Sequence, residues 1–427
     1  MRSHLLFASC LLLVTPVTVS HAQAPAPAPG IAAFADTSTN PDVKQLVARL
    51  DLEKFKATVK GLTQFGDRRQ GTRRNRDAVD WIEAQLKSYG CTNTERIIYT
   101  YPPPRDTTAR AGGAGRGGRG GGRGPARPTG SVIGEGPANG QGGSRIFGTR
   151  TQTGVNTDST KQPDPRIRAL DAEPTSPGER QEVYCTKVGS THPNEMYIVG
   201  GHMDGHGWGE AANDDGSGTA LVMELARVFS SPDVKTDRSI RFILWNNEET
   251  GLNGAHAYVD QRQALQGRES PAGSGKYPEP KWLGMIQHDM MMWDHGMPGP
   301  DGKLSPEQRR EADVNIEFAS TSRQAAAASQ LAWFFRYANE RYATDYPANV
   351  GPHMTNTDSD PFKDIIPAIS LREAERGSQI GAGWDPNWHQ VTDVYSTYSD
   401  KDFRLGLNAA ETTLAAVALL AGATVGK

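Results

Sequence analysis

The feature that most constrains this chain is a regular alternation of short apolar runs with longer amphipathic ones after residue 181. Runs of strand length and composition fall at Glu182–Val188, Met196–His202, Ser239–Trp245, Trp282–Asp289, Val314–Ser320 and around Ile366–Leu371. Helical periodicity occupies Gly216–Ser230, Leu252–Gln263, Arg323–Ala343 and Asp402–Ala421. This alternation predicts an α/β fold, a three-layer αβα sandwich around a mixed, mostly parallel sheet. In open sheets of this kind, ligand sites form beyond the carboxyl ends of the strands. The last helix is apolar enough to suggest a membrane span, but Arg404 and Glu411 interrupt it, so a core helix is the expectation.

Upstream of that region the pattern changes character three times. Arg2 followed by an apolar run from Leu5 to Val19, with small residues around Ala22 and Ala24, reads as a signal peptide over 1–24. The Pro/Ala stretch 25–40 reads as a disordered spacer. From Asp42 to Gly90 apolar residues recur at helical intervals, and Arg96 to Tyr101 reads as a strand. The 47 glycines and 28 prolines of the 427-residue chain are concentrated in segments such as A-G-G-A-G-R-G-G-R-G-G-G-R-G-P. Such a segment has little to bury, so about 105–180 is expected to be a disordered Gly/Arg-rich insertion within a single domain spanning 41–425. A net charge of −3 gives no global reason to expect nucleic-acid binding. Export would leave Cys91 and Cys185 as two thiols that an oxidising compartment allows to pair.

The chemistry sits where the strands stop. Y-I-V-G-G-H-M-D ends in His202 and Asp204, which alternation places on one side of the strand. A-N-D-D-G-S-G-T-A follows, with Asp214 and Asp215 before a glycine-rich helix start, where either Asp215 or Ser217 also suits an ordinary helix cap. R-F-I-L-W-N-N-E-E-T-G-L ends in Glu248 and Glu249; adjacent carboxylates repel unless a cation or a shared proton compensates. W-L-G-M-I-Q-H-D ends in His288 and Asp289, and D-P-N-W-H-Q-V-T-D supplies His389. His206 and Trp208 lie in the loop between these motifs, where pocket lining and loop packing are equal alternatives; His256 and His288 read as structural, and Met290–Met292 as core filling.

Taken in order, H-M-D, N-D-D-G-S-G, N-E-E-T-G-L, a strand-end aspartate and W-H-Q-V-T-D resemble the secreted co-catalytic di-zinc aminopeptidases of the aminopeptidase Y and bacterial leucyl aminopeptidase type, related to glutamate carboxypeptidase and glutaminyl cyclase. The resemblance covers about 42–104 and 181–425 and implies two Zn2+ ions. It implies His202 and Asp289 on one ion, Glu249 and His389 on the other, and Asp214 bridging both. It further implies Glu248 as general base and Asp204 orienting His202. Two places depart from the family pattern: Trp388 stands where several relatives carry tyrosine, and Ser359-Asp360-Pro361 replaces an S-D-H loop.

The expected activity is zinc-dependent exopeptidase hydrolysis of peptide substrates by a metal-activated water, with an aminopeptidase foremost. A carboxypeptidase of the same family and a catalytically inactive binding module are the alternatives. Arg372 and Arg376 are the candidate carboxylate holders for the former. The remaining expectations are an exported protein, periplasmic or extracellular, with no nucleic-acid partner and no membrane span after signal cleavage.

Overall fold

A computed structural model describes residues 39–102, 145–146, 149–150, 154–293, 314–352, 356–373 and 385–426. The expected signal peptide, most of the spacer, the Arg-Gly run and Arg376 lie outside the described residues.

Eight strands form one mixed sheet: β1 (Glu95–Tyr101), β2 (Gly178–Lys187), β3 (His192–His202), β4 (Arg238–Trp245), β5 (Lys281–His288), β6 (Val314–Phe318), β7 (Ala348–Gly351) and β8 (Ala368–Arg372). Their spatial order is β1-β2-β4-β3-β5-β8-β6-β7. The four central strands β4, β3, β5 and β8 run parallel to one another. Antiparallel pairing brings β1 and β2 onto one flank and β6 onto the other, and β7 runs parallel to β6. The mixed, mostly parallel αβα reading therefore holds.

Among the described residues, eight helices pack around the sheet: α1 (Pro41–Val47), α2 (Leu52–Thr63), α3 (Arg73–Ser88), α4 (Pro165–Asp171), α5 (Gly216–Phe229), α6 (Asn253–Arg262), α7 (Ala325–Tyr342) and α8 (Asp400–Ala421). The central strands alternate between two apolar layers, as a sheet covered on both faces must. Val183, Val199, Phe242 and Ile286 pack with α2, α3, α5, α7 and α8, whereas Tyr184, Ile198, Ile243 and Met285 pack with α6 and Phe362. The layers are unequal, and the thicker one holds α8. That 22-residue helix has the length and composition to cross a membrane, yet it lies mostly buried in the core, started by a Ser399/Asp402 capping box and ended at the left-handed Gly422.

The helical periodicity from Asp42 to Gly90 is realised as α1, α2 and α3, with Asp51 capping α2 by accepting from the Lys54 N–H at 3.0 Å. One sequence expectation needs correction. The insertion does not run to residue 180. Residues 154–180 include α4, capped by Asp164 and carrying Pro165 in its first turn. They bury Asn156, Gln162, Ile167 and Asp171 against the rest of the domain. Composition missed this because these side chains find polar partners rather than an apolar stripe. Asp171 meets Arg74 at 3.1 Å, and Gln162 donates to the carbonyls of Trp208 and Val391. Cys91 and Cys185 are joined as a disulfide across a sequence separation of 94, with their Cα atoms 6.1 Å apart, an ordinary spacing for such a bond.

Candidate metal centre

Register brings the strand ends level. His202 on β3 pairs with Trp245 on β4, Gly201 with His288 on β5, and Leu371 on β8 with His288. The residues just past these ends therefore meet above one edge of the parallel core. Helix α5 is drawn tightly under them: a Cβ on Gly218 would lie 2.5 Å from the Asp215 carboxylate and 2.6 Å from the His288 carbonyl. Asp215 is the helix cap, accepting from Gly218 N–H at 2.8 Å, and it also accepts from the backbone N–H of His202 and Met290. Both sequence readings of the aspartate pair are thus realised, one on each residue: Asp215 caps, and Asp214 points into the cleft.

His202, Asp214, Glu248, Glu249, Asp289 and His389 line one cleft with Trp388 and Asn356. His202 Nε2 lies 3.3 Å from Asp214 Oδ1 and 4.0 Å from Asp289 Oδ1. On the other side of Asp214, its Oδ2 lies 2.9 Å from His389 Nε2, which is 3.0 Å from Glu249 Oε2. Asp214 therefore faces both groups with one oxygen each. Glu248 stands beside His202 and Glu249, within reach of both. All six residues are buried.

The charge balance of this cage favours a cation. Burial lowers the pKa of His202, but Glu248, Asp214, Asp215 and Asp289 outweigh it and drive the imidazole well above its ordinary value. Burial likewise opposes the proton on His389, yet Glu249 and Asp214 raise it to about 9. Burial alone would raise Glu249, but His206 and His389 bring it down to about 2. Glu248 behaves oppositely: burial, reinforced by Glu249, Asp358 and Asp289, pushes it well above the usual carboxylate range despite His202. Donors of imidazole and carboxylate type, with no thiolate, suit a catalytic zinc-class centre. The donor spacings of 2.9–3.3 Å approach the roughly 3.3 Å edge expected for a tetrahedron with bonds near 2.0–2.1 Å.

Asp204 acts differently from expectation. Its backbone carbonyl, 2.9 Å from His202 Nδ1, orients the ring, while its carboxylate is 3.8 Å from that nitrogen. The carboxylate instead accepts from the Glu248 N–H at 3.1 Å. The strand ends at His202, so its alternation no longer sets the direction of the Asp204 side chain. Arg372 is buried and donates to Asp289 Oδ2 at 2.7 Å. His288 is structural, bonded to the Gly200 carbonyl and Thr413 hydroxyl, with burial lowering its pKa to about 4. Met290–Met292 are core residues.

Of the further participants, the sequence singled out only His206, with pocket lining and loop packing as equal alternatives. His206 reaches within 3.1 Å of Glu249 Oε2 and packs edge-on against His389 at 4.2 Å. Arg68 is fully buried and donates to the carbonyls of Met203, Glu210 and Ala211 at 2.7–2.8 Å, bracing the loop between His202 and Asp214. Asp393 accepts from the backbone N–H of Asn213 and Asp214. The last of these lay within the quoted W-H-Q-V-T-D motif; the others are ordinary residues whose partners are distant in sequence.

Residues 182–413 match the model of Peptidase family M28, more than half of the 427-residue chain. The chain is 45% identical over 69 residues to aminopeptidase YwaD of Bacillus subtilis, covering 16% of this chain and 14% of that protein. It is 36% identical over 73 residues to carboxypeptidase Q of Xenopus laevis, covering 17% of this chain and 16% of that protein. The chain thus spans only about a sixth of the length of these curated relatives. Among solved structures it resembles the aminopeptidase from Aneurinibacillus sp. strain AM-1, with a TM-score of 0.55, 20% identity and coverage of 90% of this chain and 97% of that one. At that identity the likeness is one of fold. The match over 182–413, which contains every residue of the cage, establishes that this chain belongs to peptidase family M28.

Proposed function

We propose that this chain is an exported, two-zinc exopeptidase, and foremost an aminopeptidase. The observation that carries this reading is one buried cleft with a His202, Asp214 and Asp289 donor group on one side and Glu249 with His389 on the other, Asp214 reaching His389 at 2.9 Å and Glu248 standing beside them. His202, Asp214 and Asp289 would hold one ion, and Asp214, Glu249 and His389 the other. When bound, the ions would supply a water acidic enough to be deprotonated at neutral pH and polarise a scissile carbonyl.

The chain's own residues account for the rest. Glu248 is held by its backbone N–H on Asp204, which keeps its carboxylate beside the cage. Standing beside the cage, Glu248 is placed to take a proton from the attacking water and pass it to the leaving amine. Trp388 stacks on His389 at 4.1 Å and walls the cleft.

A specific observation favours the aminopeptidase over the carboxypeptidase reading. Arg372, the described candidate for a substrate carboxylate, is committed to Asp289 and lies 3.7 Å from Glu317. Export is supported by the apolar run Leu5–Val19 and by the Cys91–Cys185 disulfide, which an oxidising compartment preserves. The test is zinc content measured alongside hydrolysis of aminoacyl arylamides and of peptides varied at the carboxyl end. Two equivalents of zinc with arylamide cleavage support the reading; metal-free, inert protein overturns it in favour of a binding module.

A further inference from the structure

We propose that His206 is a direct protein ligand of the ion held by Glu249 and His389. The inference rests on the two-zinc reading above and adds a residue to it.

The first argument is spacing. His206 Nε2 to Glu249 Oε2 is 3.1 Å, His389 Nε2 to Glu249 Oε2 is 3.0 Å, and His389 Nε2 to Asp214 Oδ2 is 2.9 Å. The Glu249, His206 and His389 donor atoms converge on one point, all close to one another and all buried. Three successive contacts near the roughly 3.3 Å edge of a zinc tetrahedron are what ligands of a common ion present.

The second argument is direction. His206 Nε2 is buried, on a side chain only 4% exposed, and it has no hydrogen-bond partner although a carboxylate oxygen lies 3.1 Å away. The oxygen is near enough but off the line of the ring nitrogen, so the pair is poorly arranged as donor and acceptor. Ligands of one ion look like this, because each lone pair points at the ion rather than at the neighbouring ligand. Glu249 Oε1 is also buried and without a hydrogen-bond partner. An orphaned buried imidazole nitrogen costs stability unless something fills its valence.

The third argument is that the backbone is built to deliver this side chain. Gly207 has φ +110°, and a Cβ there would lie 2.5 Å from the His389 carbonyl. Only a glycine lets the 203–211 loop touch the His389 loop and bring the two imidazoles edge to face.

The consequence is asymmetry between the two sites. His206 adds an imidazole donor to the Glu249 and His389 side, whereas the His202, Asp214 and Asp289 side gains none. The site with His206 would hold its ion more tightly.

The experiment is a zinc-loaded crystal structure of the full chain with anomalous scattering at the zinc edge, paired with zinc titration of His206→Ala, His206→Gln and His389→Ala. Nε2 of His206 at about 2.0–2.1 Å from a zinc is expected. His206→Ala and His206→Gln should both weaken one of two equivalents by on the order of 100-fold or more, beyond the usual loss on removing a partner that merely orients a ligand. Glutamine keeps an N–H donor, so binding restored in His206→Gln overturns the assignment and makes His206 a positioning residue for Glu249. A zinc more than about 3 Å from Nε2 overturns it as well. Wild type that holds two zincs while His206 stays unbound sinks this inference alone. Wild type that takes up no stoichiometric zinc, with His389→Ala indistinguishable from it, sinks the two-zinc reading and this one together.

Discussion

The two halves of the cleft are made of the same donor types but are held in different ways. On one side, His202 ends β3, Asp289 follows β5 by one residue, and Asp214 immediately precedes the cap of α5. Strand register and a helix start position these groups, with Asp215 tying three backbone segments together. On the other side, Glu249, His206 and His389 all sit on loops. His389 has a left-handed backbone at φ 59°, as do Asn247, Trp208 and Ala211 nearby. Non-glycine residues persist in that region only where surrounding contacts hold them. Those contacts are long-range: Asn156 N–H donates to the His389 carbonyl, Glu210 N–H to Asp393, and Gln162 bridges Trp208 and Val391. One half thus rests chiefly on strand register and a helix cap, the other chiefly on contacts between segments distant in sequence.

That contrast can be broken or sharpened by four measurements. The largest effect is expected from Glu248→Gln, which keeps shape and neutralises the base. Turnover on aminoacyl arylamides should fall by roughly 10³-fold, within the range for losing general-base catalysis, while both zinc equivalents stay bound. Loss of zinc in this variant would mean that Glu248 belongs to the ligand cage instead.

Next comes Arg68→Met, which removes the donor from three buried carbonyls of the 203–211 loop. Orphaned carbonyls cost about 1–3 kcal/mol each, so a loss of at least about 3 kcal/mol in denaturant unfolding is expected. In a folded population, the zinc equivalent on the loop-held side should weaken more than the other; equal weakening would erase the distinction between the halves.

A smaller effect should follow Gln162→Ala, which unties α4's neighbourhood from the two site loops. About 1–2 kcal/mol of stability should be lost, and zinc titration should show the change in one equivalent only. Unchanged affinity at both would show that residues 154–180 merely cover the site.

The mildest test is the pH dependence of the metal-free protein. Burial, with Asp385, raises Asp393 to about 7, and burial raises Asp204 to about 7, while carboxylates around His389 raise it to about 9 against burial. All three hold protons more tightly in the folded than in the unfolded chain. The His389 contribution is complete below its ordinary value near 6.5 and lost as pH rises through about 9. The raised carboxyls act in the same sense, since ionising them in the fold costs more. Melting temperature should therefore fall across that window, and zinc should flatten the slope. A metal-free melting temperature that rises with pH there would contradict the charge balance of the cage.

The candidate site was largely legible in the sequence because its ladder-held members announce themselves. An apolar run that stops at His202 or Asp289 fixes the residue at a sheet edge, and the N-D-D-G-S-G turn adds Asp214 by the same logic. Glu248 and Glu249 were visible as a repelling pair past the end of β4. His206 was placed only in the intervening loop, because four residues past a strand end no periodicity survives to say which way a side chain turns. The insertion was overextended to residue 180 for a related reason: polar side chains such as Asn156 and Gln162 leave no apolar pattern, though they are buried in the fold.

By itself, then, the sequence determined the α/β architecture, the identity of six cleft residues and the cap of α5 to within Asp215 or Ser217, all set by local periodicity and capping chemistry. Tertiary structure alone decided that Asp204 works through its carbonyl on one neighbour and its carboxylate on another, that Arg68 braces the loop, and that His206 converges with Glu249 and His389. These depend on where chain segments far apart in sequence come to rest, and backbone hydrogen bonds between loops carry no signature in residue order.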